Sequence, residues 1–146
     1  MIQGRGGLMS VTGVADGEPG EGPQKVGVAM ADLTTGMYAV AAIQAALLAR
    51  YRTGEGQYID MALFDSQVAM LANQASNYLV GGSVPGRMGS AHPNIVPYQA
   101  FPTADGHLML AVGNDGQFAR LAGAMGVPDL AIDPRYATNL SRTENR

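Results

Sequence analysis

The chain of 146 residues is 47% hydrophobic and 14% charged, with a net charge of −3; this excludes a disordered chain and suits one folded unit that buries roughly 70% of its surface. Its one lysine and scattered arginines draw no basic stripe, so nucleic acid is not an expected partner. The absence of cysteine excludes disulfides and thiolate metal sites and is compatible with a cytoplasmic location.

Residues 1 to 25 are punctuated by Gly6-Gly7, Gly13, Asp16-Gly17, Pro19-Gly20 and Gly22-Pro23, too often for a long helix. A surface loop anchored by Leu8, Met9 and Val11 is expected, and no secretory signal is read in it. Asp32 follows as the only charge between Lys25 and Arg50. For an arbitrary aspartate before a helix the ordinary role is an N-cap, whose side chain accepts from the first free N–H groups.

Leu33, Met37, Val40, Leu47 and Tyr51 then recur at helical spacing, and Gly54 supplies a left-handed stop after Arg50 and Arg52. The spacing predicts a long, mostly buried helix with Asp32 at its positive end. Its longest apolar run, Met37 to Ala49, is interrupted by Gln44 and is shorter than the ~20 residues of a membrane span, so no membrane partner is expected. Gln57 to Phe64 reads as a strand with Ile59, Met61 and Leu63 on one face. Asp65 is expected to cap a second helix, lined by Val68, Leu71, Ala75 and Tyr78, that Gly81-Gly82 ends. Helix, strand and helix in this order form a segment of an open α/β layer.

Residues 83 to 97 return to loop, and Tyr98–Phe101 and Leu108–Val112 read as a hairpin turning through Asp105-Gly106. A helix over Gln117 to Met125 follows, and Pro128 and Pro134 interrupt the remainder. The expected organisation is α/β, with 1–82 as part of a large domain and 83–146 as a linker loop and a small ββα module. No GxSxG, Walker lysine, HExxH or GxGxxG occurs, and His92 and His107 are too few for a metal site, so no metal is expected. His107 is expected on the surface, and His92 as a structural residue of its loop.

The stretch Gly27-Val28-Ala29-Met30-Ala31-Asp32-Leu33-Thr34-Thr35-Gly36-Met37-Tyr38-Ala39, followed by Arg52-Thr53-Gly54-Glu55-Gly56-Gln57-Tyr58-Ile59-Asp60, resembles the family III CoA-transferases. That family includes the formyl-CoA, carnitine and succinate–hydroxymethylglutarate types, and it shares its fold with α-methylacyl-CoA racemase. Arg87 to Pro93, Pro97 to Phe101 with Asp105-Gly106, and Gly113 to Phe118 agree in order and spacing. The string is most similar to the succinate–hydroxymethylglutarate type.

The resemblance implies an internal fragment of that fold: part of a Rossmann-like large domain plus a smaller α+β module. It implies that Asp32 is the catalytic aspartate, attacking an acyl-CoA and passing through a mixed anhydride and an aspartyl-CoA thioester to a carboxylic acid. A helix N-terminus suits the anion, and apolar surroundings protect the anhydride from water. Gly89, Ser90, Ala91 and His92 match a mobile substrate-binding loop, though its glycine run is not kept, which argues against oxalate or formate. Coenzyme A is expected as a substrate, held mainly by residues upstream, in an interlocked homodimer of the longer parent.

Asp115 falls near the position where racemases carry a glutamate, with helix capping as its ordinary role, and Arg87 is a candidate partner for a second substrate carboxylate, with a plain surface arginine as its ordinary reading. Two further readings stand beside transfer. One is a racemase-like isomerase, and the other is an inactive fragment that only folds or binds.

Overall fold

The computed structural model describes all 146 residues and divides them into two compact units, Met1–Arg87 and Met88–Arg146.

The first unit opens with a short helix, α1 (Ile2–Arg5), and a 3-10 turn at Leu8–Ser10, followed by loop. As the glycine spacing requires, no long helix forms before residue 30. The Gln3 amide reaches across to the later chain: its Oε1 accepts from the Val26 N–H at 2.9 Å and its Nε2 donates to the Val28 carbonyl at 3.3 Å. This pair steers the backbone into α2 (Met30–Thr53). Gly54 closes α2 at φ 78°, with its N–H donating to the Arg50 carbonyl at 2.8 Å, as its position predicts.

Two expectations about this region are corrected. α2 is not mostly buried: Ala31 is its one buried residue, and Met37 and Tyr51 are 75% and 90% exposed. By length and composition α2 would also suit a membrane span, because the helix takes in Met30 to Gly36 as well as the apolar run. Nor do residues 57 to 64 form a strand. Residues 57 to 62 carry no regular structure, Ala62 is extended (φ −107°, ψ 131°), and α3 (Leu63–Ala69) follows, because a strand needs a hydrogen-bonded neighbour and the only sheet pairs two later segments.

The N-cap of α3 is Ala62, so Asp65 lies in the first turn and caps nothing. The second predicted helix is broken in two, with α4 (Ala72–Leu79) following Ala72 at φ 45°. The expected apolar face survives the break: Val68, Leu71, Ala75 and Tyr78 line one cavity of about 350 Å³ together with Val11. Gln67, fully buried on α3, donates to the Gly6 carbonyl at 3.0 Å and holds the N-terminal turn against this pair.

The second unit is built on the predicted hairpin. β1 (Tyr98–Pro102) pairs antiparallel with β2 (His107–Ala111), in register from Tyr98 opposite Ala111 to Pro102 opposite His107. Exposed His107 therefore starts β2. Thr103 N–H donates to the Gly106 carbonyl at 2.9 Å to close the turn. α5 (Asp115–Ala124) follows, capped by Asn114 Oδ1 accepting from the Gln117 N–H at 2.9 Å, while Gln117 Oε1 accepts from the Gly113 N–H. Val112, Phe118 and Ala122 are its buried apolar residues. A 3-10 turn at Pro128–Ala131 and α6 (Asn139–Glu144), which a Thr138–Ser141 capping box starts, complete the unit.

Candidate active site

Asp32 is the third residue of α2, and the N-cap position belongs to Ala29, which offers no side-chain acceptor. The expected capping role is thus absent. Thr34 and Thr35 turn inward along the helix instead, their hydroxyls donating to the Met30 and Ala31 carbonyls at 2.7 and 2.6 Å. The three ion pairs of the chain leave Asp32 out. Its carboxylate is exposed, one turn into the positive end of a helix of 24 residues, between Val28 and Leu33, which are themselves more than half exposed. Chemically this is an exposed carboxylate without an ion-pair partner, at a helix end whose dipole favours an anion, with exposed apolar side chains beside it.

The segment Gly89 to His92 belongs to the second unit, and hydrogen bonds hold it along β1. Ser90 Oγ accepts from the Ala100 N–H at 3.0 Å, His92 N–H donates to the Tyr98 carbonyl at 2.9 Å, and Ala91 N–H donates to the Met88 carbonyl at 3.0 Å. Gly89 turns at φ 59°, a left-handed conformation that glycine adopts without strain. The His92 ring stacks on Tyr98, centroids 5.2 Å apart and planes 19° apart, and its Nδ1 accepts from the Asn94 N–H at 3.1 Å. In the neutral ring that bond puts the proton on Nε2, which is left as a donor. His92 is therefore structural through one nitrogen and chemically available through the other.

Asp115 does not cap α5. Its Oδ1 accepts from Arg142 Nη2 at 2.8 Å, and Arg142 is the residue that sequence reasoning missed. This guanidinium, only 1% exposed, also donates from Nε to the Val96 carbonyl at 2.8 Å and from Nη1 to the Tyr136 carbonyl at 2.7 Å, and it lies 4.4 Å over the Phe118 ring. No local signal marks it, since Ser141 to Arg146 is uniformly polar. Arg87 is not free for a substrate carboxylate either: it pairs with Asp16. No group of three acidic or histidine side chains is placed to hold a metal.

The first unit thus carries an unpaired carboxylate on a helix and the second a histidine-bearing loop beside a ββα arrangement, a mixed helix-and-sheet chain whose family comparison specifies. The family profile for CoA-transferase family III matches residues 1–146, and the chain belongs to that family. It is 57% identical over 146 residues to a succinate–glutarate CoA-transferase of Agrobacterium fabrum, covering 100% of this chain and 36% of that protein. To a succinyl-CoA:glutarate CoA-transferase of Mus musculus it is 50% identical over 140 residues, covering 96% and 31%. Among solved structures, a CAIB/BAIF family protein from Brucella suis superposes with a TM-score of 0.71 at 56% identity, over 100% of this chain and 38% of that one. The mixed helix and sheet seen here are thus part of that fold, and the chain spans about a third of the length of the relatives it matches.

Proposed function

We propose that this chain is the aspartate-bearing segment of a CoA-transferase that moves CoA from an acyl-CoA to a carboxylic acid, with Asp32 as its nucleophile. The observation that carries the reading is the unpaired carboxylate in the first turn of α2. A carboxylate committed to a cap or an ion pair would have to break that bond before attacking.

In this reading Asp32 attacks the thioester carbonyl, the C–S bond breaks, and CoA thiolate leaves a mixed anhydride behind. The thiolate attacks the aspartyl carbonyl, releasing the first acid and leaving an aspartyl-CoA thioester. The incoming carboxylate attacks that thioester carbonyl, and thiolate returns to the second anhydride to give the new acyl-CoA and free Asp32. Each thioester made replaces one broken, so the cycle needs no added energy source. The Gly89–His92 segment receives the acid, with His92 Nε2 as a donor to its oxygens.

Succinyl-CoA as donor and a dicarboxylic acid as acceptor follow from the names of the relatives, and a panel of dicarboxylic acids tests them. Racemisation is the weaker reading: the relatives named above are transferases, and the residue at the racemase position, Asp115, is held by Arg142. Cover for Asp32 against water comes, in our reading, from the remainder of a longer, dimeric, cytoplasmic polypeptide. On that ground the isolated chain neither labels nor turns over, which keeps the third reading for the fragment alone.

The test uses the whole transferase carrying this segment. Acyl-CoA is added, the mixture is quenched with borohydride or hydroxylamine, and peptides are mapped by mass spectrometry. Modification is expected at Asp32, and Asp32→Ala should lose both the adduct and turnover by a factor on the order of 10⁴. An adduct that persists in Asp32→Ala refutes the assignment.

A further inference from the structure

We propose that Asp16 is a positioning residue: it holds Arg87, from which the Gly89–His92 segment departs, and thereby sets the affinity for the carboxylic acid while leaving acylation of Asp32 alone. Three bonds join the two residues, although 71 positions separate them. Asp16 Oδ2 accepts from the Arg87 N–H at 2.9 Å, Asp16 Oδ1 pairs with Arg87 Nη2, and the Asp16 N–H donates to the Arg87 carbonyl at 3.1 Å. An ordinary surface ion pair joins only side-chain tips and contributes little. Here both backbone polar groups of Arg87 are engaged, so the contact fixes a position in the chain as well as a charge.

The surroundings are shaped for this contact. Residues 12 to 24 form a loop whose base is closed by the Gln24 N–H donating to the Thr12 carbonyl at 2.9 Å. A side chain at Gly86 would place its Cβ 2.7 Å from Asp16 Oδ2. One at Gly13 would meet the Gly22 carbonyl oxygen at 2.2 Å and Arg87 Cδ at 2.9 Å, and the φ of 148° there already favours glycine. The close approach of the two strands of chain is thus written into two glycines. Arg87 is 21% exposed at its side chain, and its buried Nε has no acceptor, so Asp16 is its one charged partner. Removing that carboxylate leaves a half-buried cation that must find water, and the backbone at 87 moves with it.

Two positions further on lies Gly89, and then Ser90 and His92 are tied to β1. With Arg87 held on one side and Ser90 on the other, the left-handed Gly89 is confined to one short span. Loosening the Arg87 end frees the segment that meets the acid. The inference rests on the reading of Gly89–His92 as the acid-binding segment.

In the whole transferase, Asp16→Ala should raise KM for the acceptor acid about tenfold, while single-turnover acylation of Asp32 by acyl-CoA stays within about twofold of the parent. Asp16→Asn keeps an acceptor for the Arg87 N–H but loses the charge, so its KM should fall between the two. Should Asp16→Ala fail to fold, Asp16→Asn alone carries the measurement. An unchanged KM in a folded variant, or an acylation rate that falls by as large a factor as KM rises, overturns the proposal. His92→Ala separates the two levels. If His92→Ala leaves KM unmoved, the acid-binding reading of the loop fails. If it raises KM while both Asp16 variants do not, only the positioning role fails.

Discussion

Arg142 shows what a single residue can do for a small unit with few buried apolar groups. Its three donors reach Val96, Tyr136 and Asp115, and its planar face covers Phe118, so one side chain ties together the chain before β1, the stretch before α6 and the start of α5. Replacing it with methionine keeps the volume but leaves two carbonyl groups without donors. The expected cost is about 3 kcal/mol, read as a lower urea midpoint for the second unit's transition. Arg142→Lys, which lacks the fork, should lose most of the same stability, and an unchanged midpoint in both variants would deny Arg142 this role.

The sequence concealed the residue because its acceptors lie 46, 6 and 27 positions away. Asp32 was legible for the opposite reason: a lone charge in an apolar run is visible without any partner. At α5 the capping chemistry was legible to within one residue, whereas Asp32 and Asp65 lie three residues past N-caps that have no side-chain acceptor. Asn114 and Asp115 both suit an N-cap, and the distant arginine takes the aspartate.

Among the elements, those set by local backbone preference were readable and those set by a distant neighbour were not. The hairpin follows from Asp105-Gly106 and the end of α2 from Gly54, both of which act within a few residues. Residues 57 to 62 have the composition of a strand and lack the neighbour that would make them one. The break between α3 and α4 occurs without glycine or proline, at an alanine with positive φ, and leaves no mark in the sequence.

Two glycines of the α2 region test this view with opposite signs. A Cβ at Gly54 or at Gly36 meets nothing within 4 Å, so packing is not at issue in either. Gly54 holds φ 78°, and Gly54→Ala should destabilise by about 1 kcal/mol. Gly36 lies inside the helix at ordinary angles, and Gly36→Ala should stabilise by about 0.5–1 kcal/mol. Chemical denaturation of the two variants reads both effects, and shifts of the same sign would contradict the conformational explanation.

At the scale of the whole molecule, a chain that is 47% hydrophobic buries only Ala31, Val112, Phe118 and Ala122 among its apolar residues. Two separate folded bodies sharing this mass would expose roughly 8,500 Å² by the usual scaling of area with mass. The chain exposes 9883 Å², so surface that folded bodies normally bury is left open whatever the placing of the two units. Much of it lies on α2, where Leu33, Met37, Val40, Leu47 and Tyr51 form the face that periodicity assigns to a core. The helix follows from the spacing and its burial does not, because apolar residues at helical spacing report a surface that needs covering without naming the cover.

Apolar surface of this extent drives association in water. The isolated chain, purified at micromolar concentration, should therefore sediment as a concentration-dependent oligomer and enhance anilinonaphthalene sulfonate fluorescence. Replacing Met37 and Leu47 with glutamate should reduce both signals, since each substitution places a charge on the open face of α2. If the whole protein covers that face, as the proposed function requires for Asp32, it should leave the dye dark. A chain that sediments as a monomer and leaves the dye dark would mean that α2 folds back on itself or on its neighbours in solution, and the apolar setting argued for Asp32 would then have to come from within these 146 residues.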